Sequence, residues 1–165
     1  MAYTGFIVVF MLVVVTWDLL YRRIPNAITV TGVLAGLLWH AFSHTFTSSL
    51  LGTVAGFLVG FILFYLAAIG AGDLKLIVAV GALLGFELWL SAMIATVIAA
   101  GVIALIQAVA KRKLVTTFRN MATLVGHIAR FGISPHPELN VRNRALIRSP
   151  FGVAAGFGVL LTVLR

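Results

Sequence analysis

One residue type in this chain points to chemistry, and it is rare here. The 165 residues contain two aspartates, Asp18 and Asp73. Asp18 stands in Trp17-Asp18-Leu19-Leu20-Tyr21-Arg22-Arg23-Ile24-Pro25-Asn26, and Asp73 in Gly70-Ala71-Gly72-Asp73-Leu74-Lys75. Each lies where an apolar segment meets a basic one. An Asp at the centre of a membrane helix costs roughly 2.5–3.5 kcal/mol on insertion scales, so an acid in such surroundings needs a reason. Two carboxylates brought close together cannot comfortably both ionise. One keeps a proton, and the pair titrates as a unit. The ionised member can then take a proton from water while the protonated member hydrogen-bonds a peptide carbonyl, which is the arrangement of an aspartic protease.

Each acid also has a plainer reading. Asp73 could cap a helix starting at Leu74, because Asp is a favoured N-cap. Gly70 and Gly72 just before it could let the backbone break and approach an extended chain, such as a bound peptide. Asp18 could pair with Arg22, four residues on and on the same helix face, for about 0.3–0.5 kcal/mol. Such a pair would not require a second acid on the same side of a membrane.

The elements that must position these acids are membrane helices. Hydrophobic residues make up 62% of the chain and the mean hydropathy is +1.15, well above the roughly 45–50% apolar content of soluble domains. The expectation is a single all-α domain over 1–165, a polytopic membrane bundle of about six transmembrane helices. Their approximate spans are Ala2–Leu20, Ala27–Phe42, Leu50–Ile69, Leu74–Trp89, Ser91–Ala110 and Pro150–Leu164. Residues 114–133 differ. Leu114, Phe118, Met121, Val125 and Ile128 recur at helical spacing between polar residues, which predicts an amphipathic helix at the membrane surface.

Charge sets the orientation. The first apolar run has no Lys or Arg before it and no small-x-small site after it, so it reads as a permanent anchor with its N-terminus outside. Alternating the helices places 21–26, 70–73 and 111–149 in the cytoplasm, with eleven of the twelve Lys and Arg residues and both aspartates. The net charge of +8 therefore reports topology, and no nucleic-acid partner is expected. The absence of cysteine excludes disulfides and thiol catalysis. No His-Glu-x-x-His and no Gly-x-Ser-x-Gly occurs, so neither a zinc protease nor a serine hydrolase is supported, and no metal or cofactor is expected. Glycines four apart, at Gly32/Gly36, Gly52/Gly56/Gly60, Gly81/Gly85 and Gly152/Gly156, suit close helix packing.

Taken together, Asp18 with Arg23-Ile24-Pro25-Asn26 behind it, Gly70-Ala71-Gly72-Asp73-Leu74-Lys75, and Pro150-Phe151-Gly152-Val153-Ala154 resemble the type IV prepilin peptidases, membrane aspartic proteases of the Gly-x-Gly-Asp class. The resemblance implies that Asp18 and Asp73 are the catalytic pair. It implies cleavage of short basic leader peptides from prepilin-like precursors at the cytoplasmic face of a bacterial inner membrane. Gly70, Gly72, Pro25, Asn26, Pro150 and Gly152 would shape the site or meet substrate, together with Lys75, which reads mainly as a topology anchor. Larger relatives methylate the new terminus and carry paired Cys-x-x-Cys motifs in an extra N-terminal domain. This chain, cysteine-free and starting at its first helix, resembles the short peptidase-only form of tight-adherence (Flp) pilus systems, with no methyltransferase activity expected. Two rivals remain. Presenilin-like and signal-peptide-peptidase-like proteases share the chemistry but usually show Tyr where this chain has Trp17, and Pro-Ala-Leu where it has Ser149-Pro150-Phe151. A small proton-coupled transporter would use intramembrane acids too, although nearer the midplane and often with an inverted repeat.

Overall fold

The computed structural model describes residues 2–132, 134–140 and 150–165. Among them are six helices and no strand: α1 Ala2–Tyr21, α2 Asn26–Phe42, α3 Phe46–Tyr65, α4 Ala71–Ala110, α5 Leu114–Phe131 and α6 Phe151–Val163. This is the all-helical membrane bundle that the composition predicts. α1, α3 and α4 are long and apolar enough to cross a membrane, and α2 and α6 are shorter apolar helices. Their outward faces carry large apolar side chains such as Val9, Leu34, Leu58, Ile98 and Leu161, as lipid contact requires.

The main departure from expectation lies in α4. Its 40 residues would extend about 60 Å if straight, twice the roughly 30 Å core of a bilayer. Gly85, at φ 70 and ψ 170, breaks it into arms of residues 71–84 and 86–110. The two expected helices are thus one run with its break at Gly85 instead of near residue 90. Hydropathy stays high through the break, and only the backbone freedom of glycine at positive φ marks it.

The packing shows how the arms lie. Cβ atoms added to Gly36, Gly52, Gly56 and Gly60 of α2 and α3 would press on Ala82, Gly81, Ile77 and Leu74 of the first arm. The four-residue glycine spacing therefore serves close backbone approach. α6 runs antiparallel to α1, with Gly152 against Asp18 and Gly156 against Val15, and Gly158 meets Ala92 and Thr96 of the second arm. Leu83 lies beside Tyr3 at the start of α1. The second arm therefore runs back toward the end from which the first arm came. The core between them is formed by Met11, Val14, Leu76, Val80, Leu83, Ala155 and Val159 among others.

A break in a helix leaves backbone polar groups without their intrahelical partners. Here side chains take them up. Ser49 Oγ donates to the Ala82 carbonyl at 2.7 Å, and Tyr3 Oη donates to the Leu83 carbonyl at 2.6 Å. His40 Nε2 lies 3.2 Å from the same Leu83 oxygen, and the Phe86 N–H donates to Ser48 Oγ at 3.1 Å. Tyr3 also stacks on Trp39, ring centroids 4.4 Å apart.

α3 begins and ends four residues earlier than the expected 50–69. Leu66–Ile69 are apolar but form a turn, with Ala67 at φ 53. α5 has no buried residue. Its exposed apolar side chains include Phe118, Met121 and Val125 on one face, while Arg119, Thr123 and Arg130 share another with Phe131. It ends at Phe131, and position 133 of the expected interfacial helix lies outside the described residues, as do Arg142, Arg144, Arg148 and Ser149.

Candidate active site

Asp18 sits in the last turn of α1 and is only 6% exposed. The turn closes when the Arg22 N–H donates to the Asp18 carbonyl at 2.9 Å, and Arg22 itself takes φ 51 to leave the helix. The carboxylate points into the bundle, where Oδ2 accepts the N–H of Gly152 at 2.8 Å. Gly152 is the second residue of α6, whose N-cap position is held by Pro150 with no side-chain cap. Asp18 therefore supplies from another helix the acceptor that α6 lacks, and the positive end of the α6 dipole favours its charge. The fit leaves no room for a side chain at 152. A Cβ there would stand 2.8 Å from Asp18 Oδ2 and 2.9 Å from its Cβ.

Asp73 is the third residue of α4, not the N-cap of a helix starting at Leu74. Gly70 holds the N-cap position in extended conformation, φ −83 and ψ 164. Asp73 Oδ2 reaches back to accept the Gly70 N–H at 3.0 Å. Asp73 is half-buried. Neither Gly70 nor Gly72 takes a left-handed conformation, and the positive φ of this region falls on Ala67 instead. A Cβ on Gly70 or Gly72 would meet nothing closer than 3.5 Å or 3.6 Å, which is ordinary contact. The sharp backbone break expected at these glycines thus lies three residues earlier.

The two acids come from different helices to the same end of the bundle, where Ile24 lies against Gly72 and Lys75 bonds Asn26. No hydrogen bond joins them among those of the described residues. Each commits one oxygen, Oδ2, to a backbone N–H at the start of a helix, and each leaves Oδ1 without a protein partner among the described residues.

Comparison with protein families bears directly on this arrangement. The model of the type IV leader peptidase family matches residues 5–105, well over half of the chain and a span that includes both aspartates. The chain belongs to the type IV leader peptidase family. No curated protein and no solved structure matches it. Family membership makes this membrane protein a peptidase and points to a prepilin-like protein substrate. The matched span ends before α6, so the contact between Asp18 and Gly152 is a finding of the structure alone.

Pro25, Asn26 and Lys75 gather at this same end of the leader peptidase. Pro25 holds the N-cap position of α2 at φ −62 and ψ 142. Asn26 is the first residue of α2, and its side chain does not cap the helix. Asn26 Oδ1 accepts from Lys75 Nζ at 2.7 Å. Ile24, which the sequence did not mark, is buried, and its backbone lies against Gly72. Phe151 packs on the core beside Gly152. His40 stands at the opposite end with Leu83. His127 and His136, scattered in sequence, meet with ring centroids 4.8 Å apart, and both line an open recess of about 450 Å³ against α5.

Proposed function

We propose that the chain is an aspartic endopeptidase that removes the short basic leader from type IV prepilin-like precursors, with Asp18 and Asp73 as the catalytic pair. The observation that carries this reading is the convergence of the chain's two aspartates, 55 positions apart in sequence, at one end of the bundle, with one oxygen of each lacking a protein partner among the described residues. One carboxylate, ionised, takes a proton from a water held between the two. The resulting hydroxide attacks the scissile carbonyl, whose oxygen accepts a hydrogen bond from the other, protonated carboxyl. Collapse of the tetrahedral intermediate breaks the C–N bond, and a proton from the dyad goes to the leaving amine.

Orientation follows from charge. The expected topology assigns eleven of the twelve Lys and Arg residues to the acids' side, which supports a cytoplasmic site and an N-terminus outside. The apolar helix of a precursor would lie in the bilayer beside the enzyme, with its leader reaching the acids at the cytoplasmic boundary of the inner membrane. The chain's lack of cysteine leaves it without Cys-x-x-Cys motifs, and the proposed activity is proteolysis without N-methylation.

Co-expression with a candidate prepilin tests this directly by the mass of the precursor. Asp18→Asn and Asp73→Asn, made separately, are each expected to abolish processing while the protein stays in the membrane. Cleavage at the normal rate by either variant overturns the assignment.

A further inference from the structure

Lys75 has a place in the structure that membrane anchoring does not explain. It lies two residues after Asp73, hence about 200° further round the helix, and is turned away from that carboxylate. Its ammonium donates at 2.7 Å to Oδ1 of Asn26, a residue 49 positions earlier that opens α2. Between these partners, Ile24 is buried with its backbone against Gly72, directly before Asp73. Pro25 fixes the backbone between Ile24 and Asn26. The segment that leaves α1 just after Asp18 is thus held at two points, by contact at Gly72 and by a hydrogen bond at Lys75, to the first two turns of the helix that carries Asp73.

We infer that the hydrogen bond between Lys75 and Asn26 is a strap that sets the separation of the two carboxylates. Lys75 and Asn26 act as positioning residues for peptide cleavage. This rests on the reading of Asp18 and Asp73 as the reacting pair. The two carboxyls are not hydrogen-bonded to one another, so their spacing must be imposed by the surrounding chain. α6 fixes Asp18 through Gly152, and α4 fixes Asp73 through Gly70. The strap is the polar link that ties the α1–α2 turn to α4 at this end. Displacing reacting groups by about 1 Å can cost about a hundredfold in rate.

The test uses the full-length protein in lipid vesicles with a prepilin substrate. Lys75→Met and Asn26→Leu should each lower kcat by roughly ten- to a hundredfold with KM within about twofold. The double variant should lose no more than the worse single variant, because both remove one link. Lys75→Arg, which still offers donors to Asn26, should recover most of the rate. Normal cleavage by Lys75→Met overturns the strap, and so do losses that multiply in the double variant or fall wholly on KM. A second readout is independent of catalysis. The chain has no cysteine, so Arg23→Cys and Ala71→Cys accept spin labels cleanly, and the distance distribution between them should broaden in Lys75→Met. An unchanged distribution overturns the strap even where cleavage falls. Normal cleavage by Asp18→Asn or Asp73→Asn would instead remove the catalytic pair, while the label distances would still judge the link itself.

Discussion

The two ends of the bundle put polar side chains into an apolar molecule for different purposes. At the end near Gly85, Tyr3, His40, Ser48 and Ser49 direct their polar atoms to backbone groups that the broken helix leaves without partners. At the other end, Asp18 and Asp73 also satisfy backbone groups at helix starts, but each does so with a single oxygen, Oδ2. The distal cluster spends its polar atoms on the fold, whereas at the acid end each carboxyl has an oxygen with no protein partner among the described residues. That difference, more than the mere presence of acids, separates a repaired fold from a site that can do chemistry.

The contrast can be broken most severely at the carboxylates. Asp18→Asn keeps an oxygen able to accept the Gly152 N–H, so α6 should stay in place, yet the rate of precursor cleavage should fall at least about a thousandfold. A variant that lost membrane insertion along with cleavage would mean that Asp18 serves the fold, as the distal residues do. Gly152→Ala comes next. Its Cβ would press on the Asp18 carboxyl at 2.8 Å, and a shift of that group should cost about a hundredfold in cleavage. Gly70→Ala is the companion, since its Cβ would lie 3.5 Å from Asp73 Oδ2 and the fold should accept it. Loss of cleavage in a stably inserted Gly70→Ala protein would show that bound peptide needs that space.

At the distal end the same measurements should give the opposite pattern. Gly85→Ala forces a side chain into a conformation at φ 70 and against Ser48 Oγ at 2.6 Å, a destabilisation of about 1–3 kcal/mol. It should lower the thermal midpoint in detergent while cleavage well below that midpoint stays within a few-fold of normal. Smaller still are single hydrogen bonds, about 0.5–1.5 kcal/mol each. Ser49→Ala should cost more than Tyr3→Phe, because the Ala82 carbonyl has Ser49 as its side-chain partner, whereas the Leu83 carbonyl retains His40 when Tyr3 is cut back. Equal midpoints for the two variants would mean that His40 does not take over.

Much of this was legible in the residues. Apolar runs and basic loops marked the helices, and two aspartates in a nearly acid-free chain marked the site. What stayed hidden depends on backbone geometry or on long-range pairing. Gly85 reads as one more packing glycine, four residues from Gly81, and nothing in the hydropathy separates a glycine that packs from one that breaks a helix. The work of Tyr3, His40, Ser48 and Ser49 exists only because of that break, so it could not be seen before it. Leu66–Ile69 are as apolar as a helix end, and their turn through Ala67 carries no side-chain signal. Asn26 stood only among residues expected to shape the site, and its bond to Lys75 required knowing that α2 and α4 start side by side. The pairing of Asp18 with Gly152 spans 134 residues, beyond the reach of any local spacing rule.

That pairing also has a consequence in time. A ribosome delivers Asp18 among the first residues of the chain and Gly152 among the last, so a growing polypeptide holds both acids long before it holds the amide that steadies one of them. On the proposed reading of Asp18, that carboxyl waits for its amide partner until α6 has been made.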